Sequence, residues 1–226
     1  MIRKFYIPLT RIKVGRFFSL LISLLLLFVL RPFMESLIGI RLLMDVFVTF
    51  ILISGIYAAC EKKGILIVAL VFALPAFVGS WSLLFMENAF LQVMTKMSCA
   101  LFFAYTAIIL MSYMFKAKNV TSDIIIGAIC AFFLIGLMWA YIFATLHFLQ
   151  PDAFHFSQGA SIENSPFIYY SFVTLTTLGY GDITPLLSSA RSLSLLEAVI
   201  GQIYLAVVIA RLVGMHISQS LERKSP

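Results

Sequence analysis

The sequence predicts an all-α integral membrane protein, with six transmembrane helices and a re-entrant half-helix between the fifth and the sixth. Three observations predict it. Of 226 residues, 62% are hydrophobic and only 12% charged, far from the balance of a soluble globular domain. The apolar residues gather into runs close to the ~20 residues that a bilayer-crossing helix needs. Residues 150–192, between the last two runs, are too many for an ordinary helix connection and too apolar in their middle for a solvated loop.

The first span centres on Phe17 to Leu30, LISLLLLFVL being its densest part, with Arg16 and Arg31 able to snorkel at its ends. A signal peptide is the competing reading. RPFMESL follows where a small-residue cleavage site would be expected, and more spans come after it, so a retained helix is favoured. The second span runs from about Leu42 to Cys60, before the polar turn EKKG. The third, Gly64 to Met86, is uncharged and carries Pro75 near its middle, where a lost backbone hydrogen bond should bend it. The fourth covers about Leu91 to Phe115, the fifth Ile124 to Leu149, and the sixth Leu193 to Val213. The fifth is long enough to tilt or protrude. Cys60, Cys99 and Cys130 lie inside or at the edge of these runs rather than in loops, so no disulfide is expected.

The net charge of +6 does not call for nucleic acid, because the basic residues flank hydrophobic segments, where they set orientation. With a cytoplasmic N-terminus, Arg3, Lys4, Arg11, Lys13, Arg16, Lys62, Lys63, Lys116, Lys118, Arg211, Arg223 and Lys224 fall inside. Only Arg31, Arg41, Lys96 and Arg191 remain on or towards the outside. Both termini are therefore expected to be cytoplasmic. The division that follows is a basic N-terminus over 1–15, four helices over 16–121, a further unit over 122–217 and a short cytoplasmic tail over 218–226.

Between spans five and six, QPDAFHFSQGASIE (150–163) contains acids and no Lys or Arg, as an exposed outer segment would. NSPFIYYSFVTLTT then has the pattern of a short helix: Asn164 or Ser165 can cap it and Pro166 suits its first turn. Its ten to twelve residues make half a span. Glycine-rich backbone after such a half-helix is tolerable at membrane depth only when buried in protein or lining a watery path.

The stretch Thr176-Thr177-Leu178-Gly179-Tyr180-Gly181-Asp182 resembles the selectivity filter of potassium channels. The half-helix before it, Pro185 after it and the apolar spans on both sides share in the resemblance, which covers residues 122–217. Over residues 1–121 it amounts to helix count, in the manner of six-helix subunits with one pore loop. Passing a dehydrated cation needs protein oxygens in place of water, and a chain aiming successive carbonyls one way needs dihedrals that Gly179 and Gly181 tolerate, lacking Cβ. The resemblance implies potassium ions held by the carbonyls of Thr177, Leu178, Gly179 and Tyr180 with the Thr177 hydroxyl, Gly181 completing the filter. It implies a homotetramer among membrane lipids, since one chain supplies one segment of the ring. The half-helix, ending near Thr176, would turn its negative end toward a cation below. No organic cofactor is expected.

Departures from the family pattern are local. Leu178 replaces the usual valine. Tyr169 and Tyr170 stand where many members have tryptophans bracing the filter; by that analogy Tyr170 would reach Tyr180, and Tyr169 would reach Asp182. Val173 stands where some bacterial members carry a glutamate behind the filter. Residues 91–115, LQVMTKMSCALFFAYTAIILMSYMF, contain Lys96 and no arginine, so no voltage-sensor array is expected. The first four helices are then a packing scaffold or a sensor of a ligand or lipid, the gating stimulus being unassigned.

Gly201 lies where many family members carry a hinge glycine, and close helix packing would account for it equally well. Gln202, Leu205 and Ile209 share a face that by resemblance lines the inner cavity, with Ala206 beside it. Glu197 is an ionisable residue within a span and so a functional candidate; a hydrogen bond behind the half-helix is the preferred reading. Arg211 is read as an inner-interface anchor. His147, His155 and His216 are read as ordinary residues, and Asp152, Glu163 and Asp182 as an acidic outer mouth that Arg191 partly offsets. A channel in a bacterial inner membrane is the expectation. A transporter subunit would carry four degenerate filters in one chain, where this sequence has one intact copy. A less selective cation channel and a non-conducting receptor with a vestigial filter compete with the selective channel. No constellation of side chains suggests an enzyme.

Overall fold

The computed structural model describes residues 17–34, 40–59, 63–85, 88–117, 119–157 and 166–222. Among them, helices α1 (Phe18–Met34), α2 (Ile40–Ala59), α3 (Lys63–Ser82), α4 (Ala89–Lys116) and α5 (Ser122–Leu149) precede the ten-residue α6 (Pro166–Leu175) and the long α7 (Ser188–Glu222). The fold is that of an all-α membrane protein: Gly64–Ser82, Ala89–Lys116, Ser122–Leu149 and Ser188–Ser220 are long and apolar enough to cross a membrane, while Phe18–Leu30 and Val48–Tyr57 form shorter apolar stretches. Arg3, Lys4, Arg11, Lys13, Arg16, Cys60, Lys62, Met86, Lys118, Glu163, Asn164, Ser165, Arg223 and Lys224 lie outside the described residues.

Helix boundaries follow local chemistry. Asn88 caps α4, its Oδ1 accepting from Phe90 N at 2.9 Å and Leu91 N at 3.4 Å. Thr121 caps α5 through Ile124 N at 3.4 Å, with Asp123 in the first turn, where the helix dipole favours an acid. α5 stops at Leu149, just before Pro151, and Pro166 opens α6. α3 runs through Pro75 as one element. α7 is longer than the apolar run Leu193–Val213 on which a span was read, because neither the serines before it nor the polar residues after Val213 break a helix.

α4 packs chiefly on α5, α3 on α4, and α1 on both α2 and α5. In lipid, burying apolar side chains gains little, so such packing rests on close approach and dispersion. Small residues are buried on both helices, Ala100 and Ala107 on α4 and Ala128 and Ala131 on α5, together with Phe102, Phe103 and Leu134. The boundary read at residue 121 falls between α4 and α5, but one hydrophobic core runs across it. At the end of the bundle away from α6, Arg211 of α7 donates through Nη2 to Phe115 O and Ala117 O, both at 3.0 Å, placing a cation on the carbonyl end of α4.

Candidate functional site

After α5 the chain makes a 3-10 turn, Pro151–Ala153, and a strand, β1 (Phe154–Phe156), that pairs antiparallel with β2 (Ile183–Pro185). Phe154 faces Pro185, His155 faces Thr184 and Phe156 faces Ile183. Ser157 N donates to Asp182 O and Leu186 N to Ala153 O, each at 2.9 Å. Arg191 Nε adds a bond to Pro185 O at 3.2 Å. The chain leaving the glycine segment is thereby tied to the chain leaving α5, a pairing that strands of three residues did not announce in the sequence.

The segment itself begins as the C-terminal cap of α6. Leu178 N donates to Val173 O and Thr177 N to Thr174 O, each at 2.9 Å, the two bonds of a Schellman motif. The left-handed position this motif requires is occupied by Thr177, at φ 57°, where glycine is usual and a β-branched residue is costly, at about 1–2 kcal/mol. The threonine hydroxyl donates to Thr176 O at 2.7 Å, and Gln202 Nε2 donates to Thr177 Oγ1 at 3.3 Å. Gly179 at φ 59° and Gly181 at φ 79° continue the pattern.

Left-handed residues at 177, 179 and 181, alternating with the ordinary backbone of Leu178 and Tyr180, have one geometric consequence. In an extended strand successive carbonyls point to opposite sides; alternating left- and right-handed dihedrals turn them to the same side. Among the described residues, the carbonyls of Thr177, Leu178, Gly179 and Tyr180 accept no hydrogen bond within the chain. Their side chains stand out instead, Leu178 56% and Tyr180 67% exposed. A row of unsatisfied carbonyl oxygens on one side of a segment can coordinate a cation.

The half-helix behind the segment is held on several sides. Tyr169 stands beside Asp182, and its ring lies parallel to that of Tyr180, centroids 6.5 Å apart at 4°. Tyr170 does not reach Tyr180. It lies on the buried face of α6 against Phe143 and Phe154, and its hydroxyl meets Ser194 Oγ of α7 at 2.6 Å; the helix rotation that turns Tyr169 outward turns Tyr170 inward. Ser194, which the sequence did not single out, passes its own proton to Ala190 O at 2.8 Å. Ser171 Oγ lies between Gly136 O of α5 and Glu197 Oε1 of α7, so Glu197 does sit behind α6. A Cβ at Gly136 would meet the ring of Phe172, and one at Gly201 would meet the carbonyl of Leu175, the last residue of α6. Gly201 is therefore a point of close packing in a helix that continues through it.

Gln202, Leu205, Ala206 and Ile209 are exposed along α7, with Ile203 and Val207 beside them, so this chain leaves that side of the helix uncovered. His147 lies in an aromatic cluster with Phe154, Phe156 and Phe167. No group of three or more His, Cys, Asp or Glu residues among the described residues could hold a metal ion.

Tyr169→Phe removes the hydroxyl beside Asp182 and keeps the ring stack. Because Tyr169 is partly exposed, the loss is at most about 1 kcal/mol per chain. Fold and assembly should survive, and any ionic current should decline faster during a sustained recording than in the parent.

Residues 135–217, from the middle of α5 to near the end of α7, match the protein-family model described as "Ion channel". No curated protein and no solved structure matches the chain. The match supports an ion channel, and together with the apolar helices an integral membrane protein.

Proposed function

We propose that this chain is one subunit of a homotetrameric potassium-selective channel that passes the ion down its gradient. The observation that carries the reading is the row of four carbonyls, Thr177 to Tyr180, unpartnered among the described residues, on a backbone turned left-handed at every second residue. Oxygens fixed in this way replace the water of a dehydrating cation at little reorganisation cost. One chain contributes one side of such a ring; closure calls for copies around an axis, and fourfold symmetry gives each ion a cage of oxygens.

α6 and the segment after it re-enter from the outer face between α5 and α7, and α1 to α4 complete six spans. The exposed face of α7, with Gln202, Leu205, Ala206 and Ile209, lines the cavity below the filter. Lys116 and Arg211 lie at the end of the bundle away from the filter, which supports cytoplasmic termini. A bacterial inner membrane is the proposed location, lipids the surrounding partner, and nucleic acid no partner. With Lys96 as the basic residue of the fourth span and no arginine there, opening should depend only weakly on voltage. Native mass spectrometry of the detergent-solubilised protein checks the stoichiometry: four chains are expected, and a monomer or dimer that nevertheless conducts would contradict the ring.

A further inference from the structure

Ser171 of α6 and Glu197 of α7 are both fully buried, each 0% exposed. Ser171 Oγ lies 2.7 Å from Gly136 O of α5 and 2.5 Å from Glu197 Oε1. A serine hydroxyl has one proton and a backbone carbonyl has none. If Glu197 were ionised, two acceptor oxygens, Gly136 O and Glu197 Oε1, would compete for the single Ser171 proton, and one of the two short contacts would set lone pair against lone pair. A carboxylic acid supplies the missing proton: Ser171 then donates to Gly136 O, and Glu197 donates to Ser171 Oγ.

Two further observations agree. Among the described residues Glu197 Oε2 is buried without a hydrogen-bond partner, which is tolerable for a neutral carbonyl oxygen and costly for half of an anion. No basic side chain among the described residues forms an ion pair with it, although an isolated buried charge demands one. The titratable neighbour is Tyr170, whose hydroxyl is engaged by Ser194. We propose that Glu197 is a neutral carboxylic acid whose proton, donated to Ser171, pins the half-helix between α5 and α7 and so positions the conduction segment that α6 carries.

The positioning role rests on the channel reading; the protonation state does not. Infrared spectra of the whole protein in lipid at neutral pH should show a carboxylic-acid C=O band that is missing from Glu197→Gln. Potassium flux into vesicles should be nearly preserved in Glu197→Gln, whose amide can donate to Ser171 and leave a neutral oxygen behind. It should fall about tenfold in Ser171→Ala, which leaves the buried Glu197 proton without an acceptor, and in Glu197→Ala, which removes the bond that ties α6 to α7. Loss of a carboxylate band instead of the acid band in Glu197→Gln, or parental flux in a folded Glu197→Ala, overturns the inference. A parent protein that carries no potassium would overturn the channel reading, and the infrared band would still decide the state of Glu197.

Discussion

Alanine at Gly179 is expected to abolish potassium-selective current while leaving an assembled protein. Gly179 sits at φ 59°, and among the described residues nothing lies within 4 Å of the position a Cβ would take. The substitution therefore meets no obstacle in its own chain; its whole effect is conformational. An L-residue held left-handed costs about 1–2 kcal/mol, and a ring of four copies would multiply that penalty at one site. Relaxation toward ordinary dihedrals flips the adjoining peptide and turns a carbonyl away from the axis, which removes an oxygen ring without touching the core. Size-exclusion chromatography should show the parental complex, and bilayer recordings no potassium-selective current. Selective current of parental size in Gly179→Ala would show that these carbonyls are not the selective element.

The second large effect is expected at Gly201. There the obstacle is steric: a methyl group would overlap the carbonyl oxygen of Leu175 and approach Leu175 Cδ1 at 3.0 Å. A backbone oxygen at the end of α6 cannot rotate aside, and any shift is passed directly to Thr176 and Thr177, where the cap of the half-helix begins. Overpacking of this kind costs about 1–3 kcal/mol, so Gly201→Ala should lower thermal stability and current together. Gly214→Ala provides the contrast. It lies in the same helix with open space around it, and should leave conduction unchanged while favouring the helix by up to about 1 kcal/mol. If Gly201 served only as a hinge, its alanine variant would assemble with parental stability and differ in open probability alone.

The parts of the molecule legible in the sequence are those set by composition and by short-range chemistry. α3, α4 and α5 follow from long apolar runs with polar breaks, and α6 from Pro166 followed by ten residues that end at a threonine pair. The two glycines around Tyr180 are read from their missing Cβ atoms. What escaped detection depends on distance in sequence or on a tertiary override. The bond from Tyr170 to Ser194 and the contact of Ser171 with Glu197 join residues 24 and 26 positions apart, and their partners are fixed by how α6 is rotated against α7. Thr177 is the sharper case. Its propensity argues against a left-handed backbone, yet the cap of α6, its hydroxyl bond to Thr176 and the amide of Gln202 hold it there. The strands β1 and β2 are too short to carry an alternating pattern, and their pairing depends on where α5 and the glycine segment end.

Selection of potassium by the oxygens of Thr177, Leu178, Gly179 and Tyr180 is the core of the proposed function. Its most direct test is the reversal potential of purified protein in a planar bilayer, with potassium and sodium gradients opposed and voltage stepped over a wide range. A selective pore of this kind gives a reversal potential that follows the potassium gradient, with an open probability that changes little with voltage. Current that follows sodium as readily as potassium would contradict it.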